Sequence, residues 1–230
     1  MEASGLDLRA HLDELLPSAG ARALDELAGI ARLTAFERHR VMLRAGDRPR
    51  LALVLEGHVA SRRTDAKGTT RLIALNGPGE IAGLTSLALA EASELVALTA
   101  GSAALWRGEE VLALGRRDAG LATDLLELTL HASARLVTRL DHVSFDSVTE
   151  RLARLLWQRR TLLFDPERPL LSRPELADLV GATREMTDRA IRSLERVGIV
   201  RRIGPTGLVL VDADRLHALA DVDADERECS

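Results

Sequence analysis

Arg184, Glu185 and Arg189 stand at the spacing Arg-Glu-x-x-x-Arg. An arginine fork donates two hydrogen bonds to guanine O6 and N7, and a glutamate accepts from cytosine N4. Carried on one helical face, these three residues have the chemistry to read base edges in a major groove. Asp188 and Arg192 belong to the same face. An alternative arrangement pairs Glu185 with Arg189 and Asp188 with Arg192 as ordinary i,i+4 surface ion pairs, each contributing only about 0.2 to 0.5 kcal/mol. The elements that hold these residues favour the first use.

Ser172-x-x-Glu175 has the capping-box pattern, in which hydroxyl and carboxylate satisfy each other's helix-start amides. Pro174 is tolerated in a first turn. The pattern predicts a helix from about Arg173, with Leu176, Ala177 and Val180 on its apolar face and Gly181 ending it. Thr183 then caps a second helix, which is expected to bury Met186, Ala190, Ile191 and Leu194 and to end at Gly198. Ile199 to Val211 follows as two runs of β-formers around Gly-Pro-Thr-Gly, a hairpin wing. Arg201 and Arg202 at its root, and Arg192 on the helix, are assigned to phosphates, which fix register without reading sequence.

Charge is distributed to match. Between positions 151 and 203, 12 arginines face 7 acidic residues, a local balance of +5 in a chain whose net charge is −4. A basic carboxyl-terminal module beside an acidic partner is the pattern of a protein that meets the phosphate backbone with one end. The 230 residues, 46% of them hydrophobic, suffice for two modest domains. No run approaches 18 apolar residues and the amino terminus lacks a basic-then-apolar pattern, so neither a membrane span nor a signal peptide is expected and a cytoplasmic location fits. The lone Cys229 excludes disulfides, iron-sulfur ligation and a cysteine zinc site. No nucleophile and base pairing or metal-ligand spacing stands out, and Gly77-x-Gly79 opens no helix and has no Lys-Ser/Thr, so no enzyme, and no metal, is expected.

The first half has another grammar. Short apolar runs from Arg40 to Leu105 alternate with turn signals at 45–47, 65–68 and 76–79, which predicts a β-barrel or jelly roll. Leu24, Leu27, Ile30 and Leu33, at three-residue steps, predict a small helix before it. Asp118 to Ser144 contains no proline. Leu121, Leu125, Leu128, Ala132, Leu136, Leu140 and Val143 form one stripe along it, a helix roughly 40 Å long. That stripe is read as the dimer seam, although packing on the chain's own roll is the alternative. Ser147-x-x-Glu150 is a second capping box, which places a hinge at 143–146.

These marks together resemble the Crp/Fnr superfamily of bacterial transcription regulators, over about Leu24 to Leu219. They are Gly46-Asp47 followed by Val54-Leu55-Glu56-Gly57-x-Val59, Leu75-x-x-Pro78-Gly79-Glu80 with Gly83, Val148-Thr149-x-Arg151, and Thr183-Arg184-Glu185 with Arg189. The resemblance implies an α+β protein: a cyclic-nucleotide-binding-type jelly roll, a long dimerisation helix and a winged helix-turn-helix. The corresponding domains are 1–116, 117–146 and 147–220, followed by an acidic tail at 221–230 that is expected to be disordered. The implied partners are palindromic double-stranded DNA, a second copy of the chain and RNA polymerase. Matching positions make Arg184, Glu185 and Arg189 base readers and put Arg173 and Thr183 on phosphates. A half-site related to GTGA is implied. Met186-Thr187 departs from the Thr-Val usual between the readers, and Asp188 adds an acid.

The sensor half departs further. In the cyclic-AMP-binding branch, a Gly-Glu pair holds the ribose and an Arg-Ser pair neutralises the cyclic phosphate. Here Leu84 follows Gly83, and the stretch 85–98 has no arginine but offers Glu91 and Glu94. An anion facing acids in a partly buried pocket is repelled. The polar pair that meets adenine in that branch falls on Leu136-Val137. The effector pocket is therefore assigned to Gly83, Leu84, Leu136 and Val137, and the sequence argues against cyclic AMP. Three readings stay open: another small effector, haem on one of His39, His58, His131 or His142, or no effector. A competing reading of the whole chain is a ligand-sensing module that acts on protein partners.

Overall fold

A computed structural model describes residues 5–48, 50–87, 93–164, 171–204 and 207–220. They divide into two compact units, up to Leu136 and from Val137. In order, the elements of the first are α1 (Gly5–Leu15), α2 (Ala21–Ile30), β1 (Arg32–Phe36), β2 (Val41–Leu43), β3 (Arg50–Glu56), β4 (Val59–Thr64), β5 (Thr70–Asn76), β6 (Ile81–Ala82), a 3-10 turn (Leu84–Leu87), β7 (Ser93–Ala97), β8 (Gly101–Arg107) and α3 (Gly108–Gly115). The helix α4 (Ala119–Phe145) runs on into the second unit.

The strands form two antiparallel four-stranded sheets, β1-β8-β3-β6 and β2-β7-β4-β5. Alternation along β3 shows how the layers are built. Ala52 and Val54 join Phe36, Leu43, Val59, Leu95, Ala97 and Ala103 in the core between the sheets. Leu51 and Leu53 point the other way, into a second core with Trp106 of β8 and with Leu8, Leu12, Leu24, Leu27, Val111 and Leu121 from the surrounding helices. The Trp106 indole N–H donates to the Leu27 carbonyl at 2.8 Å, which pins α2 to the roll. Strands buried on both faces read as near-continuous apolar runs such as LALVL rather than alternating ones.

The helix predicted before the roll is α2, but it stops at Ile30. Leu33 lies in β1 with an exposed side chain, because β1 already pairs with β8 from Arg32. Two helices of this unit were not foreseen from the sequence, α1 and α3. The loop between α1 and α2 is fastened to α4 by Asp124, a buried carboxylate that accepts the backbone N–H groups of Ser18 (3.0 Å) and Ala19 (2.9 Å). Gly120 is required there, since a Cβ would lie 1.8 Å from the Ser18 carbonyl oxygen.

The long helix itself is as the apolar stripe predicts, and its break overlaps the end of the predicted 143–146. Val143 to Phe145 are still helical, and the chain turns only at Asp146 and Ser147. The second unit continues with α5 (Val148–Gln158), α6 (Arg160–Leu163), α7 (Arg173–Val180), α8 (Arg184–Arg196), β9 (Val200–Ile203), β10 (Gly207–Leu210) and α9 (Ala213–Ala220). Leu152, Leu156, Leu176, Ile191, Leu194 and Leu216 are buried in it. The acidic tail, with Cys229, and Glu91 lie outside the described residues.

Candidate nucleic-acid interface

Both capping boxes form. Ser147 and Ser172 each accept from the backbone of the third helical residue, Glu150 or Glu175, whose carboxylate accepts the serine N–H in return. Pro174 sits in the first turn of α7. Gly181 ends α7 in the left-handed region at φ 70°, where its N–H reaches back to the helix. The chain then reverses into Thr183, whose hydroxyl accepts the Met186 N–H at 3.2 Å and starts α8. Gly198, at φ 76°, closes α8 before β9, and β9 pairs antiparallel with β10 as the predicted wing. Residues 205 and 206 of the wing turn fall outside the described residues.

Arg184, Glu185, Arg189 and Arg192 are exposed on α8, and Asp188 is half-buried. Its inner face is Thr187, Ala190, Ile191 and Leu194. Met186, expected inside, is exposed instead, and Thr187 takes its place with 1% exposure. The reason is local: the Thr187 hydroxyl satisfies itself on the Thr183 carbonyl at 3.0 Å, so it is buried without an unpaired polar group. The Glu185 carboxyl is held below the usual carboxylate range by its own backbone N–H first and the Thr183 hydroxyl second, so it stays an acceptor at neutral pH.

Among the residues assigned to phosphates, Thr183, Arg192 and Arg201 are exposed, whereas Arg202 is engaged. Its guanidinium meets the Glu195 carboxylate at 2.7 Å, tying the wing root to α8. Arg173, also assigned to phosphates, is largely buried. Only 7% exposed, it folds back from the start of α7 toward Asp188, Glu195 and Arg202, and its Nη1 is buried without a hydrogen-bond partner. Burial lowers its pKa, partly offset by Asp188 and Glu195.

The seven-residue stripe on α4 divides. Leu121 is fully buried in the roll's own helical core, and Leu125 and Leu128 pack against that core, so Leu121 has no surface left for a partner. Ala132 is half-buried, whereas Leu136, Leu140 and Val143 are exposed. A neighbouring face of α4, which shares Leu140 with that stripe, is also apolar. Leu126, Leu130, Val137 and Leu140 follow one another at steps of four, seven and three and are all more than half exposed. That face has the heptad spacing of a coiled-coil seam.

In the roll, a small cavity of about 50 Å³ is lined by Leu43, Ser61, Ala82, Gly83, Ser93, Glu94 and Leu95. Gly83 lines this cavity, and its lack of a side chain has a backbone cause: a Cβ would lie 2.2 Å from the Arg50 carbonyl oxygen. The other pocket assignments differ. Leu84 packs on the helical core, and Leu136 and Val137 are exposed on α4. Of the histidines, His39 lies in an exposed turn and His131 on an exposed face of α4. His142 is engaged by Asp146 (2.9 Å) and Arg154 (3.0 Å). Among the described residues, no group of three His, Cys, Asp or Glu side chains is arranged to hold a metal.

A capped helix-turn-helix with a hairpin wing, preceded by a two-sheet roll and one long helix, defines a class: DNA-binding regulators with a sensor roll. Comparison with known proteins agrees. The model of a Crp-like helix-turn-helix domain matches residues 150–219, and that of a cyclic nucleotide-binding domain matches 33–118. The Cyclic AMP receptor protein of Thermus thermophilus is 34% identical over 182 residues, 74% of this chain and 79% of that one. Among solved structures, a CRP/FNR-family transcriptional regulator, also from Thermus thermophilus, aligns with a TM-score of 0.66 at 25% identity, covering 83% of this chain and 98% of its own. FixK2 from Bradyrhizobium japonicum shares the fold, with a TM-score of 0.68 at 23% identity, over 83% and 97% of the two chains. The chain belongs to the Crp/Fnr family of DNA-binding transcription regulators.

Proposed function

We propose that the protein is a homodimeric, cytoplasmic regulator that reads a palindromic DNA site with Arg184, Glu185 and Arg189 of each α8, and acts through RNA polymerase. The observation that carries this reading is the reading face itself: two arginines and an ionised glutamate, exposed together near the start of a helix that Thr183 caps and Gly181 turns outward. The exposed face of α4 supports the dimer, because Leu126, Leu130, Val137 and Leu140 at heptad steps are costly to leave in water. Arg192 and Arg201 are the phosphate contacts this geometry favours, with Thr183 at the helix start.

The roll answers to a small effector other than cyclic AMP, or to none. The T. thermophilus relative is named for cyclic AMP, but among the described residues the cavity here has Glu94, Ser61 and Ser93 as its polar lining and no arginine. A cyclic phosphate placed against Glu94 would lack a countercharge and meet a like charge. Haem has less support, since His142 is already held by Asp146 and Arg154. Selection of bound duplexes from a random pool, repeated with cyclic AMP and with haem, tests the reading. A two-fold symmetric motif whose recovery neither compound changes is expected. Recovery only with cyclic AMP overturns the sensor assignment, and an asymmetric motif overturns the dimer.

A further inference from the structure

Helix ends leave carbonyl groups without intrahelical donors and carry partial negative charge, so a cation close to two such ends can join them. In the second unit, α4 ends at Phe145 and α7 at Val180. Arg151, in the first turn of α5, lies between them. Its Nη1 donates to the carbonyl oxygens of Val143 (3.1 Å) and Asp146 (3.0 Å), with His142 at 3.4 Å. Its Nε donates to Val180 at 3.0 Å and its Nη2 to Gly181 at 3.4 Å. One guanidinium thus serves five carbonyls, three at the end of α4 and two at the turn between α7 and α8. Only arginine has a rigid fork of five N–H groups; a lysine offers three on a flexible stem.

Neighbouring groups brace the same joint. Arg139, in the last turns of α4, donates from Nη2 to the Leu179 carbonyl at 3.2 Å, adding a third carbonyl of the α7 terminus. Arg154, one turn beyond Arg151, is paired with the Asp146 carboxylate and bonds His142 Nδ1 at 3.0 Å, while its Nε holds the Ala220 carbonyl at 3.2 Å. The Asp146 side chain is nearly buried by these partners. Contact is close: a Cβ on Gly181 would lie 3.4 Å from Val143 Cγ2.

We propose that Arg151, assisted by Arg139, is a positioning residue for DNA recognition. It locks the turn that aims α8 to the end of α4, so that a dimer presents its two reading helices at one fixed separation. The inference rests on the dimeric, palindrome-reading function proposed above. A dimer with a fixed joint binds both half-sites without first selecting the right separation; a loose joint loses that advantage only when two half-sites must be engaged together. A purely structural arginine would affect one half-site and two alike.

The test uses the full chain with Arg151→Lys and, separately, Arg139→Gln. Affinity is measured for the selected palindrome, for palindromes with one base pair added or removed at the centre, and for a duplex with a single half-site. Arg151→Lys is expected to weaken binding to the palindrome by about tenfold or more, to change the half-site by no more than about twofold, and to flatten the preference among spacings. Arg139→Gln should show the same pattern more weakly, and it carries the test if Arg151→Lys does not fold by circular dichroism. Equal losses on half-site and palindrome, or an unchanged spacing preference in every folded variant, would overturn the proposal. A wild-type protein that binds the palindrome no better than the half-site would instead overturn the dimer reading, and this inference with it.

Discussion

The Glu195 carboxylate and the Arg202 guanidinium meet at 2.7 Å across the joint between α8 and the wing, and the Arg202 backbone N–H donates to the same carboxylate at 3.3 Å. These bonds, the side-chain one first, hold the Glu195 carboxyl below its ordinary range. A lowered folded-state pKa adds stability that is complete above the usual carboxylate value and is lost as pH falls through the lowered one. Acidification below about pH 4 should therefore loosen the wing. Thermal melting between neutral and acid pH checks this: Glu195→Gln should lower the neutral melting temperature and reduce the acid-limb dependence, whereas unchanged pH profiles would assign no role to the pair.

Arg189 and Arg192 share a helix face but are predicted to fail differently. Arg189→Ala should cost about 1 to 3 kcal/mol on the preferred site and flatten preference at one base pair. Arg192→Ala should weaken all sequences alike and reduce the salt slope by about one. Equilibrium binding to single-base variants of the site, at several salt concentrations, separates the two.

Leu121 and Leu130 are nine residues apart on α4, one buried in the roll and the other more than half exposed. Leu130→Asp is expected to give monomers in sedimentation with little change in the roll's melting. Leu121→Ala should leave the dimer intact and destabilise the roll by about 2 to 5 kcal/mol, the range for a truncated core leucine. The opposite pattern would return the seam to the stripe through Leu121.

Gly181 holds φ 70° at the turn into α8. Gly181→Ala should cost about 1 to 2 kcal/mol through the left-handed backbone alone. Removing the α7 cap with Ser172→Ala should cost about 1 kcal/mol. Urea denaturation of the full chain measures both.

The DNA-reading half was legible because its signals are local. Ser172 with Glu175, and Thr183, fix helix starts through side-chain caps, Gly181 and Gly198 fix helix ends through a left-handed backbone, and the elements fall where those residues put them. What eluded the sequence was decided by distant packing. Apolar periodicity on α4 supports two stripes, and only the roll's core shows that Leu121 is taken while Leu126 is free. Arg173 looked like a surface cation, because nothing local reveals that Asp188, Glu195 and Arg202 gather around it. Met186 and Thr187 differ by one helical step; the inner face runs through Thr187, Ala190, Ile191 and Leu194, and the hydroxyl's bond to Thr183 lets the polar residue be buried there. Gly83 lines the roll's cavity, but the close approach of the Arg50 carbonyl, which no local signal reveals, is what requires its glycine.

An exposed arginine and glutamate trio on a paired α8 is expected to engage DNA. Fluorescence anisotropy of a labelled duplex carrying the selected palindrome, titrated with the full chain over a series of salt concentrations, measures it most directly. One dimer is expected to bind per duplex, with affinity that falls steeply and linearly in log salt and is far weaker on a scrambled duplex. Absence of binding to any duplex at low salt, or binding with no salt slope, would contradict it.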